Sequence, residues 1–131
     1  MYLLDTNTCI HLLNGDSPNI RQRFLAETPD TIKVCSIVKA ELFFGARHSQ
    51  RVQKNLSLLE KFFAPLESMP FDDSCAEQYG VIRNDLAQQG IPIGPNDLMI
   101  ASIARHYDLV LVSSDVTEFG RVSGLRLENW N

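Results

Sequence analysis

A chain of 131 residues, 44% of them hydrophobic, has the size of one compact domain and can build a core without disulfide or metal staples. That apolar content excludes a disordered chain, and no run reaches the roughly 18 apolar residues of a membrane span. The net charge of −4 argues against nucleic-acid binding driven by bulk positive charge, unless the acidic groups gather in a metal site with basic groups around it. Three cysteines, Cys9, Cys35 and Cys75, form no CxxC pair and fit no zinc spacing, so free thiols in a reducing compartment are expected. The stretch from Met1 to Asp5 has neither a basic region nor a long apolar run, so it is no signal peptide and the expected location is cytoplasmic.

In chain order, Tyr2 to Leu4 reads as a short buried strand ending at the polar trio Asp5-Thr6-Asn7. A helix starts there, carries Cys9, Ile10, Leu12 and Leu13, and stops at Asn14-Gly15. Ser17-Pro18 opens a second helix, with serine as the cap and proline as the first helical residue. Thr31 to Cys35 predicts a second strand and Ser36 to Ala46 a third helix. Val52, Leu56, Leu59 and Phe63 then fall on one face of a fourth. Leu66 to Phe71 is a strand between two prolines, and Asp72 to Gln89 a long amphipathic helix ended by Gly90. The helix from Pro95 to about Tyr107 has Ser102 as the one polar residue between Leu98 and Ala104, so it should be buried on most sides. Leu109 to Val112 reads as a central strand, followed by a turn at Ser113-Ser114-Asp115, a short helical piece and a last strand near Leu125 to Leu127. Strands alternating with helices predict an α/β fold with a central parallel sheet covered on both faces, within a single domain over residues 1–131.

Four carboxylates stand in places where a surface residue is not expected. Asp5 lies at the carboxyl end of the first strand, where open α/β sheets bind ligands, although it also suits a helix cap. Glu41 has Ile37, Val38, Phe44 and Gly45 as its helical neighbours, and a carboxylate on such a face must neutralise, pair or bind a cation. Asp97 opens the most apolar helix, although an acid in a first turn also suits the helix dipole. Asp115 follows the apolar strand Leu109 to Val112, where taken alone it reads as a turn-forming residue. It is the four together that point to a site. Glu60, Asp85 and Glu118 sit among polar neighbours and are read as solvated. An all-oxygen cluster selects a hard cation, Mg2+ or Mn2+, and suits phosphate chemistry. No serine–histidine relay or glycine-rich phosphate loop is present, and His11, His48 and His106 are scattered.

LLDTN at Leu3–Asn7, SIVKAELFFGA at Ser36–Ala46, IGPNDLMIA at Ile93–Ala101 and LVSSDVTEFGRVSGLRLENW at Leu111–Trp130 resemble the PIN-domain toxins of VapBC modules. The likeness covers the chain, with the motifs in the expected order. It implies a three-layer PIN-like α/β/α fold and a catalytic, metal-binding quartet of Asp5, Glu41, Asp97 and Asp115. In that quartet Asp5 and Asp97 are the most direct ligands, and Asp115 is the least certain. A Mg2+-dependent endoribonuclease toxin follows, with a cognate VapB-type antitoxin and a homodimeric state. The chain looks similar to the branch that cleaves initiator tRNA in the anticodon region. Thr6, Lys39, Arg47 and Ser113 are then the candidates for holding RNA, while Arg51 and Lys54 are read as solvated surface. Three other readings are an Asp-nucleophile phosphotransfer enzyme, a non-catalytic PIN-type binding domain and a signalling receiver domain. The first wants a second Asp where Asn7 stands, and the complete quartet argues against the second. The third expects an acidic pair after the first strand and a lysine after the last strands, neither of them evident.

Overall fold

The computed structural model describes residues 1–131. Its strands are β1 (Tyr2–Leu4), β2 (Ile32–Cys35), β3 (Glu67–Met69), β4 (Val110–Val112) and β5 (Leu127–Glu128). The α-helices are α1 (Thr6–Asn14), α2 (Pro18–Leu25), α3 (Ser36–Arg47), α4 (Val52–Phe63), α5 (Asp73–Gln89), α6 (Pro95–His106) and α7 (Val116–Phe119). All elements expected from the sequence are present. The second strand starts one residue late because Pro29–Thr31 winds into a single 3-10 turn, closed by the Thr31 N–H donating to the Thr28 carbonyl.

The five strands are parallel throughout, in the order β3-β2-β1-β4-β5. Because crossovers between parallel strands are right-handed, opposite directions of travel put their helices on opposite faces. Steps from β1 to β2 to β3 therefore lay α1 to α4 on one face, and the return to β4 lays α5 and α6 on the other. The core follows from this. Leu3, Leu4, Val34, Leu111 and Val112 from the strands are sealed between α3 and α6, which contribute Val38, Ile100 and Ile103. Within α6, Ser102 is fully buried and keeps its hydroxyl satisfied by donating to the Leu98 carbonyl at 2.6 Å.

Strand order also fixes where a ligand would lie. The chain leaves β1 toward β2 but leaves β4 toward β5, so a crevice opens between the carboxyl ends of β1 and β4. The register pairs Leu4 with Val112, and the Asp5 N–H donates to the Val112 carbonyl at 3.1 Å. Asp5 and the turn that carries Asp115 are thereby clamped side by side at one edge. Cys9, Cys35 and Cys75 are free and buried, as expected, and burial pushes the Cys9 thiol well above its ordinary value, with Asp5 adding to the effect.

Candidate metal centre

Asp5 caps α1: its Oδ1 accepts the Thr8 N–H at 2.8 Å, and Thr8 in turn donates its hydroxyl to the Val112 carbonyl at 3.2 Å. The cap and the buried position coexist, since the side chain is only 5% exposed and Oδ2 has no protein donor. That second oxygen is an acceptor left open to a cation.

Glu41 stands on α3, half buried, and accepts the Thr6 hydroxyl at Oε1 at 2.8 Å. Apolar neighbours on the helix make Glu41 conspicuous in the sequence, as if it lay on a core face. Ile37 and Val38 do pack inward, but Phe44 is 70% exposed. Glu41 thus sits at an apolar rim that opens to solvent, and Thr6 fixes its orientation.

Past β4, buried Ser113 builds the turn that presents Asp115. The Ser113 hydroxyl accepts the Asp115 N–H at 3.0 Å, and the Asp115 carboxylate accepts the Glu118 N–H at 3.0 Å as the cap of α7. Phe119, 2% exposed, anchors this four-residue helix in the core, a burial that stabilises by about 1.5–3 kcal/mol. Glu118 then points back across the crevice, where its Oε1 accepts the Gly94 N–H at 2.9 Å. Gly94 is the cap residue of α6, so that bond brings Glu118 beside Asp97 in the first turn of the same helix.

Asp97, Asp115 and Glu118 can place one carboxylate oxygen each within 4.8 Å of one another. Glu118, read from the sequence as solvated, is therefore a member of the cluster, and Asp115, the least certain ligand, is closer to its heart than Asp5. Burial raises the Asp97 carboxyl to about 6, and the charges of Glu118, Glu41, Asp5 and Asp115 add to the rise. No basic side chain is paired with any of these five acids. An all-oxygen donor set that is short of cations fits a hard divalent metal.

The basic candidates are not brought to this edge. Lys39 lies about 200° around α3 from Glu41, and its ammonium sits 5.0 Å over the Phe63 ring. Arg47 is the last residue of α3, and α3 starts at the sheet edge, so about 16 Å of helix separates it from that edge. Of the hydroxyl candidates, Thr6 and Ser113 act on the site through Glu41 and Asp115. The histidines lie elsewhere: His11 pairs with Asp16, His48 stacks on Phe44 and His106 packs on Tyr107.

Residues 2–125 match the model of the PIN domain family. The chain is 40% identical over 129 residues to the tRNA(fMet)-specific endonuclease VapC of Salmonella typhimurium, covering 98% of this chain and 97% of that protein. Ribonuclease VapC2 of Rickettsia felis is 41% identical over 133 residues, covering 100% and 98%. Among solved structures, a chain of the DNA-bound VapBC complex from Salmonella typhimurium superposes with a TM-score of 0.93 at 39% identity, over 99% of this chain and 98% of that one. No helix here is long and apolar enough to cross a membrane.

Proposed function

This chain belongs to the PIN-domain family, in its VapC branch of toxin ribonucleases, and on that premise we propose that it is a Mg2+-dependent endonuclease cutting initiator tRNA in the anticodon region. The observation that carries the reading is the convergence of Asp97, Asp115 and Glu118 from α6, the β4 turn and α7. Asp5 and Glu41 lie close enough to raise the Asp97 carboxyl. The tRNA substrate is supported by the name of the Salmonella typhimurium relative, which matches along nearly its whole length.

In this reading Asp97, Asp115 and Glu118 would hold the metal, with Asp5 contributing its free oxygen and Glu41 completing the acidic surface. When bound, Mg2+ neutralises phosphate charge and lowers the pKa of an attacking water. The chain's own residues prepare that site. Ser113 and the α7 cap hold Asp115, Gly94 holds Glu118, and Thr6 holds Glu41, so these three carboxylates are already in place before the reaction. Near neutral pH Asp97 carries a proton part of the time, and a bound cation would favour its ionised form.

A VapB-type antitoxin is the partner, supported by the VapBC complexes among the structural neighbours, and an arginine from it would pair with two carboxylate oxygens at once. Exposed Leu25 and Leu58 on α2 and α4 support a homodimer. The domain spans residues 1–131, and the setting is the cytoplasm. The test is cleavage of initiator tRNA beside an elongator tRNA, with Mg2+ and with EDTA. Cutting confined to the initiator, stopped by EDTA and leaving a 3′-hydroxyl and a 5′-phosphate, is expected. Undiminished cutting in excess chelator, or 2′,3′-cyclic phosphate ends, would overturn the mechanism; equal cutting of both tRNAs would overturn the substrate.

A further inference from the structure

Beside the acidic cluster lies an open cleft of about 670 Å³ that the metal site does not use. Thr6, Asn7 and Ile10 of α1, Ile37, Ala40, Glu41 and Phe44 of α3, and Asn96 and Met99 of α6 line it. It shares Thr6 and Glu41 with the site, so the two are one continuous surface. No lysine or arginine lines it. Phe44 is 70% exposed, the largest exposure among the large apolar side chains. Its ring is not loose: the His48 imidazole, one helical turn on, stacks on it at 5.6 Å with 12° between the planes. Asn7 and Asn96 are exposed, and their side-chain amides are unengaged by other protein groups.

We propose that Phe44 is a stacking platform for an unpaired nucleobase next to the scissile phosphate, with the Asn7 and Asn96 amides reading that base's edge. This rests on the ribonuclease reading above and names the substrate feature it takes. Three observations converge on a base. Phe44 is one turn from Glu41, with about 5–6 Å between such positions on a helix, so a phosphate at the acids leaves its own base at the ring. Every base has a π-face, and stacking on an aromatic side chain works without positive charge, which this cleft lacks. Amide side chains offer both a donor and an acceptor, as base edges require. The cleft is also of the size that holds a small ligand rather than a helix. Unpaired bases occur in loops such as an anticodon loop and are absent from the inside of a duplex.

The experiment measures kcat and KM on initiator tRNA for wild type, Phe44→Leu and Phe44→Trp, repeated on initiator tRNAs assembled with one abasic nucleotide at successive positions around the cut. Leucine keeps apolar bulk and tryptophan keeps the ring, so the pair separates stacking from packing. Phe44→Leu should lose about tenfold to a hundredfold in kcat/KM, mostly through KM, and Phe44→Trp should stay near wild type. One abasic position should harm wild type but leave Phe44→Leu no worse than it already is. Melting temperatures should match, since the ring is exposed. Wild-type cleavage by Phe44→Leu, or equal abasic losses in both proteins, would overturn the platform and leave the ribonuclease reading standing. Normal cleavage with lost antitoxin binding in Phe44→Leu would assign the ring to a protein partner instead. A wild type that cuts no RNA in Mg2+ or Mn2+ would remove the ribonuclease reading and this one together.

Discussion

Asp72 and Asp97 begin two helices, α5 and α6, that pack against each other, yet their carboxyls are driven in opposite directions. Both stand where the helix dipole favours an anion. Asp72 accepts the Tyr107 hydroxyl from the far end of α6 and the Cys75 N–H at 3.0 Å, and these donors pull it down to about 2. Asp97 meets burial and four other carboxylates and is pushed up to about 6. The dipole is common to both, so it does not decide the outcome; the presence or absence of donors does. One end of the helix pair is satisfied by its own protein, and the other is left needing a cation.

The largest effects should come from removing charge at the unsatisfied end. Asp97→Asn and Glu118→Gln should each lower Mg2+-dependent RNA cleavage by at least about a hundredfold. Without metal, Asp97→Asn should melt no lower than wild type and gain roughly 1 kcal/mol, a value discounted for the partial exposure of the group. Added Mg2+ should raise the melting temperature of wild type more than that of either variant. Near-normal cleavage by Glu118→Gln would take Glu118 out of the site and return it to a surface role.

That Glu118 has to be tested at all reflects how sequence reasoning treats it. Asp5, Asp97 and Asp115 stand out because each adjoins an apolar strand or helix. Glu118 is separated from Asp115 by Val116 and Thr117 and looks like any residue of a short polar segment. A signal was there: Asp-x-x-Glu is a helix-start spacing, which puts the first-turn glutamate at the same end as its cap and so at the same sheet edge. Its contact with Gly94 spans 24 residues and no local pattern announces it. Elements were legible because their period and stop signals are local, as at Gly15 and Gly90, both left-handed at φ 65° and 69°. Lys39 and Arg47 adjoin Glu41 in the sequence but do not share its edge in the structure. Closeness in sequence to Glu41 says nothing about the side of the helix they occupy.

A pH series sharpens the contrast between the two aspartates. The folded Asp97 carboxyl titrates near 6, above the ordinary 3.8, so the folded state holds its proton more tightly than the unfolded chain. Its contribution to metal-free stability is therefore present below about 4 and lost as pH rises through 6. Asp72 has the opposite sign: its contribution is present above 3.8 and lost as pH falls toward 2. Metal-free wild type should thus melt higher at pH 5 than at pH 7, and that rise should vanish in Asp97→Asn. Mg2+ affinity should fall as pH drops from 7 to 5, because the proton and the metal compete for Asp97. A wild type with the same melting temperature at both values would mean the acids do not crowd one another as described.

A smaller effect is expected at the satisfied end. Tyr107→Phe removes the hydroxyl that reaches Asp72 but keeps the ring against His106. Melting temperature should drop slightly, the Asp72 carboxyl should titrate higher by NMR, and RNA cleavage should be unchanged. A large fall in cleavage would show that the two ends of the helix pair are coupled.

The smallest effect should come from the cations nearest in sequence to Glu41. Lys39 lies over Phe63 on the far side of α3, and Arg47 closes that helix. Neither forms an ion pair with the five acids, so neither offsets their charge. Neutralising them should leave the site's electrostatics as they are. Arg47→Gln should cleave within about twofold of wild type, and so should Lys39→Gln once any loss from the Phe63 contact is separated by melting. The sharper readout is salt. A side chain that holds an RNA phosphate releases counterions, so its removal flattens the dependence of log kcat/KM on log salt by about one. An unchanged slope in both variants is the expected result. A flattened slope in Arg47→Gln would mean that RNA extends along the full length of α3, and the acidic edge would then be served by a positive surface that the side-chain contacts do not reveal.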